Sequence, residues 1–214
     1  MRTAIVLSTG GSVVRRCLAV GEFRNLVDVI VSDRIGSAPE LAREHGIPFL
    51  LIPHVDNLDF SNRLLDLSAT REIDLILSFH TRLYVGRLLD DYAGRLVNFH
   101  PSLLPAFAGF RAFERALEHG STVLGTTVHM ISSELDMGAP ILQTVIPNDP
   151  ALSLADTRHR VFIHQCRSVI QVTLWFRDGR VKYQAGGRCL VSKADYSGPD
   201  FYPCLDSPVA LALV

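Results

Sequence analysis

Short apolar runs alternate with polar, helix-patterned stretches through the first hundred residues of this 214-residue chain. Thr3–Leu7 is β-branched and apolar and ends at a Ser-Thr-Gly-Gly break, so it reads as a first strand. Val27–Ser32, Phe49–Ile52, Ile73–Ser78 and Leu96–Phe99 repeat the pattern. Ala38–His45 has helical composition and stops at Gly46, a residue suited to a helix C-cap. Strands that are apolar throughout, with helices between them, predict a mostly parallel, twisted α/β sheet with helices on both faces. Crossovers in such a sheet are right-handed.

The pattern changes after Pro105. Arg111–His119 reads as a helix closed by Gly120. Thr122–Ile131 and Ile141–Ile146 are long extended runs, joined by a loop that carries Asp136. A long amphipathic helix over Leu154–Phe176 follows. Asp178-Gly179 then turns into a strand at Val181–Gln184, which Cys189–Val191 can pair. The turn-rich tail Tyr196–Pro203 reads as irregular. We expect one domain over 1–214 with two lobes, 1–95 and 96–214, around a cleft at the strand C-terminal ends.

Composition narrows the class. Apolar residues make up 48% and charged residues 20%, an ordinary globular balance. A net charge of -1 supplies no basic field for nucleic acid or an anionic membrane, so any phosphate site must be local. Cys17, Cys166, Cys189 and Cys204 share no metal-type spacing and read as reduced cytoplasmic thiols. The opening MRTAIVLSTGG reads as a strand rather than a signal peptide, and no apolar stretch approaches membrane-spanning length. No Walker, GxGxxG or HExxH motif supports a nucleotide-dependent or zinc mechanism, and no metal is expected.

The chemistry concentrates in VNFHPSLLP, Val97–Pro105, and in SELDMG, which carries Asp136. Asn98 can donate to a carbonyl oxygen. His100 can polarise that carbonyl or shuttle a proton, and Asp136 can orient both. None of the three is a strong nucleophile, so the set suits direct transfer of an acyl group. By itself, a Pro-rich turn with a solvated loop Asp would explain HPSLLP as well. His129 in GTTVHM reads as a buried, hydrogen-bonded structural histidine. The turn at Ser8–Ser12, between a strand and a helix, can bring backbone N–H groups to an anion, though Gly-Gly turns are common there.

The ordered string YAGRLVNFHPSLLPAFAGF, GTTVHM and SELDMGAPILQTVIP spans Tyr92–Pro147 and resembles the formyltransferases that use 10-formyltetrahydrofolate, nearest to the branch acting on glycinamide ribonucleotide in purine synthesis. The resemblance implies a Rossmann-like formyltransferase fold, with Asn98, His100 and Asp136 catalytic. It implies a pterin pocket formed by Arg82, Leu83, Tyr84, Leu89, Val97, Ser132, Glu134 and Leu135. For Leu83, Leu89 and Val97, plain core is the competing assignment. It also implies acceptor contacts at Gly10, Gly11, Ser12, Pro101 and Gln165, and a cis peptide at Leu104-Pro105. The family turn Ser-Gly-Asn-Gly-Ser-Asn survives here as Ser8, Gly11 and Ser12, with Thr9, Gly10 and Val13 at the other positions. Gln165 stands for a family Glu, and His80-Thr81 for an apolar pair. Arg63, in a segment shorter than the family's, is a further candidate for a phosphate. These departures bear on the acceptor, which the resemblance makes a small, phosphorylated primary amine. An amino sugar, a hydroxylated ornithine, or water in a formyltetrahydrofolate hydrolase are the alternatives, and a folate-binding relic is the non-enzyme reading. The expected protein is a cytoplasmic monomer or homodimer. It lacks the second domain of methionyl-tRNA formyltransferases and the N-terminal module of the hydrolases.

Overall fold

The computed structural model describes residues 1–8, 11–184 and 187–213. In chain order the elements are β1 (Thr3–Leu7), α1 (Ser12–Leu18), α2 (Gly21–Arg24), β2 (Val27–Ser32), α3 (Ala38–His45), β3 (Phe49–Leu51), α4 (Asn57–Thr70), β4 (Leu75–Phe79), α5 (Arg87–Asp91), β5 (Leu96–His100), α6 (Ala112–Glu118), β6 (Val123–Met130), β7 (Pro140–Pro147), α7 (Leu154–Arg177), β8 (Val181–Gln184), β9 (Arg188–Val191), β10 (Phe201–Tyr202) and α8 (Pro208–Leu211). Contacts divide the chain into two compact units. One holds residues 1–98 and 130–133, the other 99–129 and 134–213 of the described chain. The chain therefore changes unit inside β5, between Asn98 and Phe99.

The first unit is built on parallel strands in the order β5-β4-β1-β2-β3. Ala4, Ile5 and Val6 of β1 are wholly buried, as are Ile76 and Leu77 of β4. This is why these strands read as unbroken apolar runs: a central parallel strand has no solvent face on which to place polar residues. Phe60 and Leu64 of α4, Leu88 of α5 and Tyr92 pack on Val6, Val29 and Ile76. Because the strands are parallel and in register (Leu7 lies opposite both Ser32 and Phe79), the residues just beyond β1, β2 and β4 emerge at one edge.

The second unit carries the antiparallel ladder β10-β7-β6. Phe113, Ala116, Leu124, Ile146 and Val161 form a core between α6, the ladder and α7. Ser153 caps α7 by accepting from the Asp156 N–H, so the helix begins where its first-turn acid also favours it. The tail corrects the sequence expectation. Phe201–Tyr202 is a strand that pairs Thr144 and Gln143 across β7, where turn composition had suggested irregular chain. β8 and β9 form the expected hairpin, Val181 opposite Val191 and Gln184 opposite Arg188.

Candidate active site

The turn after β5 is held by a local hydrogen-bond net. Thr127 Oγ1 donates to the Ser102 carbonyl at 2.7 Å and accepts from the Leu104 N–H at 3.1 Å. Gln143 Nε2 donates to the Leu104 carbonyl at 2.9 Å. The Leu104-Pro105 peptide is cis, as the resemblance implied. Leu103 packs so tightly on β6 that a Cβ on Gly125 would lie 2.5 Å from its Cγ and 2.2 Å from the Thr144 carbonyl oxygen. Only glycine fits there.

That net places His100. The residue is 6% exposed. Its Nε2 donates to the Phe107 carbonyl at 3.2 Å, and its Nδ1 lies 3.3 Å from Asp136 Oδ2. Both ring nitrogens face acceptors, so a neutral ring donates to one at a time. Asp136 sits in the β6–β7 loop with a left-handed backbone (φ 56), and its side chain is buried. Its Oδ2 also accepts from the Gly109 N–H at 2.8 Å, and its Oδ1 lies 3.7 Å from His129 Nε2. The carboxylate is thus surrounded by one backbone donor and two imidazoles. This geometry keeps it oriented towards His100.

Asn98 is the last residue of the first unit, opposite Ser78 of β4 in register. It stands two residues before His100 on β5, so the two project on the same side of the strand.

The remaining expected residues fall into distinct settings. Gly11 has φ 65 and is the N-cap of α1, with Ser12 the first helical residue; Gly10 lies outside the described residues. Pro101 and Gln165 are half-buried. Arg63 pairs with Asp59 on its own helix at 3.5 Å. Leu83 is 40% exposed, whereas Val97 is wholly buried and Leu89 packs against the first unit's core. Tyr84 is also a core residue. Its hydroxyl meets Ser78 Oγ at 2.9 Å, and burial raises its pKa well above the ordinary phenol value. Ser132 is half-buried, and Glu134 and Leu135 are exposed.

Two features escaped the sequence reading. Gly109 contributes only a backbone N–H, for which no side-chain signal exists. Asp33 follows the apolar run of β2 directly, and a carboxylate at the end of a buried parallel strand was the available sign.

The parallel sheet and, separately, the buried His100–Asp136 pair are each compatible with the acyl-transfer class. The formyl transferase family model matches residues 1–173, and the chain belongs to that family. Among its relatives, a phosphoribosylglycinamide formyltransferase of Haemophilus influenzae is 32% identical over 157 residues, covering 72% of this chain and 74% of that protein. The Escherichia coli protein of the same name is 31% identical over 193 residues, covering 85% and 90%. The crystal structure of glycinamide ribonucleotide transformylase 1 from Symbiobacterium toebii superposes with a TM-score of 0.81 at 30% identity, over 89% of this chain and 93% of that one. Among the described residues no helix is long and apolar enough to cross a membrane, and no group of three or more His, Cys, Asp or Glu could hold a metal.

Proposed function

We propose that this formyltransferase moves the formyl group of 10-formyltetrahydrofolate to the primary amine of glycinamide ribonucleotide, a step of purine biosynthesis. The observation that carries the mechanism is the buried Asp136 carboxylate, shared between the Gly109 N–H and the His100 ring. The folate supplies the formyl group. Exposed Leu83 and the backbone of residues 132–133 offer the apolar surface and polar edge that a pterin needs, with Leu89 and the buried Tyr84 and Val97 supporting them from within the core. Gly11 and Ser12 open α1, a setting that supports a phosphate of the acceptor.

In this reading the amine nitrogen bonds to the formyl carbon, the bond from that carbon to the folate nitrogen breaks, and one proton passes from attacking to leaving nitrogen. Asn98 donates its amide N–H to the carbonyl oxygen as negative charge builds there. His100, its ring set between the Phe107 carbonyl and Asp136, orients the carboxylate, and Asp136 receives the migrating proton, directly or through water, and passes it to the leaving nitrogen. Loss of one such oxyanion donor typically costs about 3 kcal/mol of transition-state stabilisation.

The test is tetrahydrofolate release by the purified chain with glycinamide ribonucleotide, with unphosphorylated amino sugars and hydroxyornithine, and with no amine. Release that depends on the ribonucleotide is expected. Equal release without amine would make the protein a hydrolase, and release only with an unphosphorylated amine would overturn the acceptor.

A further inference from the structure

Both members of the buried His–Asp pair take a partner from the backbone of one loop. His100 Nε2 donates to the Phe107 carbonyl at 3.2 Å, and Asp136 Oδ2 accepts from the Gly109 N–H at 2.8 Å. Phe107 and Gly109 lie between β5 and α6, and all four residues belong to the second unit. The loop is not in its most relaxed form. Phe107 (φ 55), Gly109 (φ 84) and Arg111 (φ 55) all have positive φ. Glycine enters that region freely, whereas a side chain there brings its Cβ against the backbone carbonyl. A loop with two such side-chain-bearing residues keeps its shape only where its surroundings impose it.

Three contacts impose it. Ser102 Oγ donates to the Ala106 carbonyl at 2.6 Å, where the loop begins. The Phe107 ring packs on the core between α6 and the ladder and meets the His119 ring edge-on at 5.8 Å. The third contact is Arg115, an exposed residue of α6 that reaches back over the loop. Its Nη1 donates to the Ala108 carbonyl at 2.7 Å, and its guanidinium carbon lies 5.9 Å from the centre of the Phe107 ring.

The Ala108 carbonyl and the Gly109 N–H are the two ends of one peptide group. That group is planar, and in the trans form its C=O and N–H point in opposite directions. Arg115 therefore holds one end of the plane while Asp136 takes the other. A charged donor on the carbonyl also polarises the peptide and strengthens its N–H as a donor. Without that grip the plane is free to turn, because glycine at residue 109 tolerates φ of either sign. A turned plane would present a carbonyl oxygen to the carboxylate in place of the N–H.

We infer that Arg115 is a positioning residue: it locks the 108–109 peptide with its N–H on Asp136, and so sets the carboxylate for proton transfer. The catalytic consequence rests on the proposed function, in which Asp136 receives the migrating proton.

The experiment compares Arg115→Met and Arg115→Lys in the full chain. All three residues favour helix about equally, so α6 is not itself perturbed. Methionine keeps an apolar stem and loses the donor; lysine keeps a cationic donor. Exchange of the Gly109 amide hydrogen is followed by NMR on labelled protein without substrates, alongside steady-state and single-turnover formyl transfer. In Arg115→Met the Gly109 amide should exchange about tenfold faster and kcat should fall about tenfold, the scale of one charge-assisted bond from an exposed side chain. KM for the folate and for the amine should stay within about twofold, and the amides of α6 should keep their protection. Arg115→Lys should recover most of both losses. In an Asp136→Asn background, adding Arg115→Met should change the single-turnover rate less than about twofold, because Arg115 acts through Asp136. Wild-type exchange at Gly109 in Arg115→Met overturns the inference. So does a loss that appears in KM instead of kcat, a lysine variant as impaired as the methionine one, or effects that multiply in the Asp136→Asn background. Faster exchange throughout α6 makes Arg115 merely structural and overturns it too. Wild-type protein that formylates no amine sinks the proposed function, while the exchange at Gly109 still decides the lock.

Discussion

Asp136→Asn separates the role of the carboxylate's charge from its role in the fold. The amide oxygen can take the Oδ2 position, where it still accepts from the Gly109 N–H now at 2.8 Å. The amide nitrogen then faces His129 Nε2, now 3.7 Å from Oδ1. The shape and the backbone bond survive, so only the difference between charged and neutral hydrogen bonding is lost. That difference is about 1 kcal/mol of folding stability, or a melting-temperature fall of about 2–4 °C for a chain of this size. Catalysis loses far more. A positioned acid–base contributes about 10²- to 10⁴-fold, which at 1.36 kcal/mol per decade is about 3–5 kcal/mol of barrier. The asymmetry between these two figures is the prediction. Tetrahydrofolate release under single-turnover conditions reads the chemical step, and calorimetric melting reads the fold. Turnover within fivefold of wild type, with a comparable melting temperature, would refute the proton-transfer role of Asp136. A melting temperature lowered by 10 °C or more would show that the carboxylate is chiefly structural.

Two further outcomes follow from packing and burial. Gly125→Ala forces a Cβ to 2.2 Å from the Thr144 carbonyl oxygen and 2.5 Å from Leu103 Cγ; backbone cannot yield as a flexible side chain does, so a loss of about 1–3 kcal/mol in denaturant melts is expected, and an unchanged midpoint would contradict the close approach. His80 supplies a pH dependence. Its pKa is about 4 folded against 6.5 unfolded, so the unfolded state binds more protons between these values and stability falls as pH drops through that window. The loss is about 3 kcal/mol by pH 4, and His80→Phe, which keeps the stack on Phe60, should remove that part of the slope; parallel curves for the two proteins would refute it.

Local pattern and tertiary structure decided different things here. The apolar runs of β1, β2 and β4 were legible because strands covered on both faces cannot alternate with polar residues, a constraint that each segment carries within itself. The 3.6-residue period of α7 placed that helix to within a residue of its observed end, Arg177, for the same reason. The Asn98, His100 and Asp136 motif suggests acyl transfer from residue type and order alone. What surrounds those residues was not legible. Gly109 and His129 meet Asp136 only because a left-handed turn at residue 136 aims its carboxylate back towards them. Phe201–Tyr202 becomes a strand only because the edge of β7 is there to pair with it; two residues carry no periodicity of their own. Tyr84 and Val97 matched a family's binding wall by position, yet packing buried them, since the local sequence cannot say which side of an apolar segment faces a neighbour. Asp33 was an ordinary charge after a strand until parallel register brought the ends of β1, β2 and β4 to one edge and gave it Arg34, His80 and Arg82 as neighbours. Local propensity is short-ranged and is written residue by residue. The environment that tunes a charge comes from segments far apart in the chain, and only the packed fold brings them together.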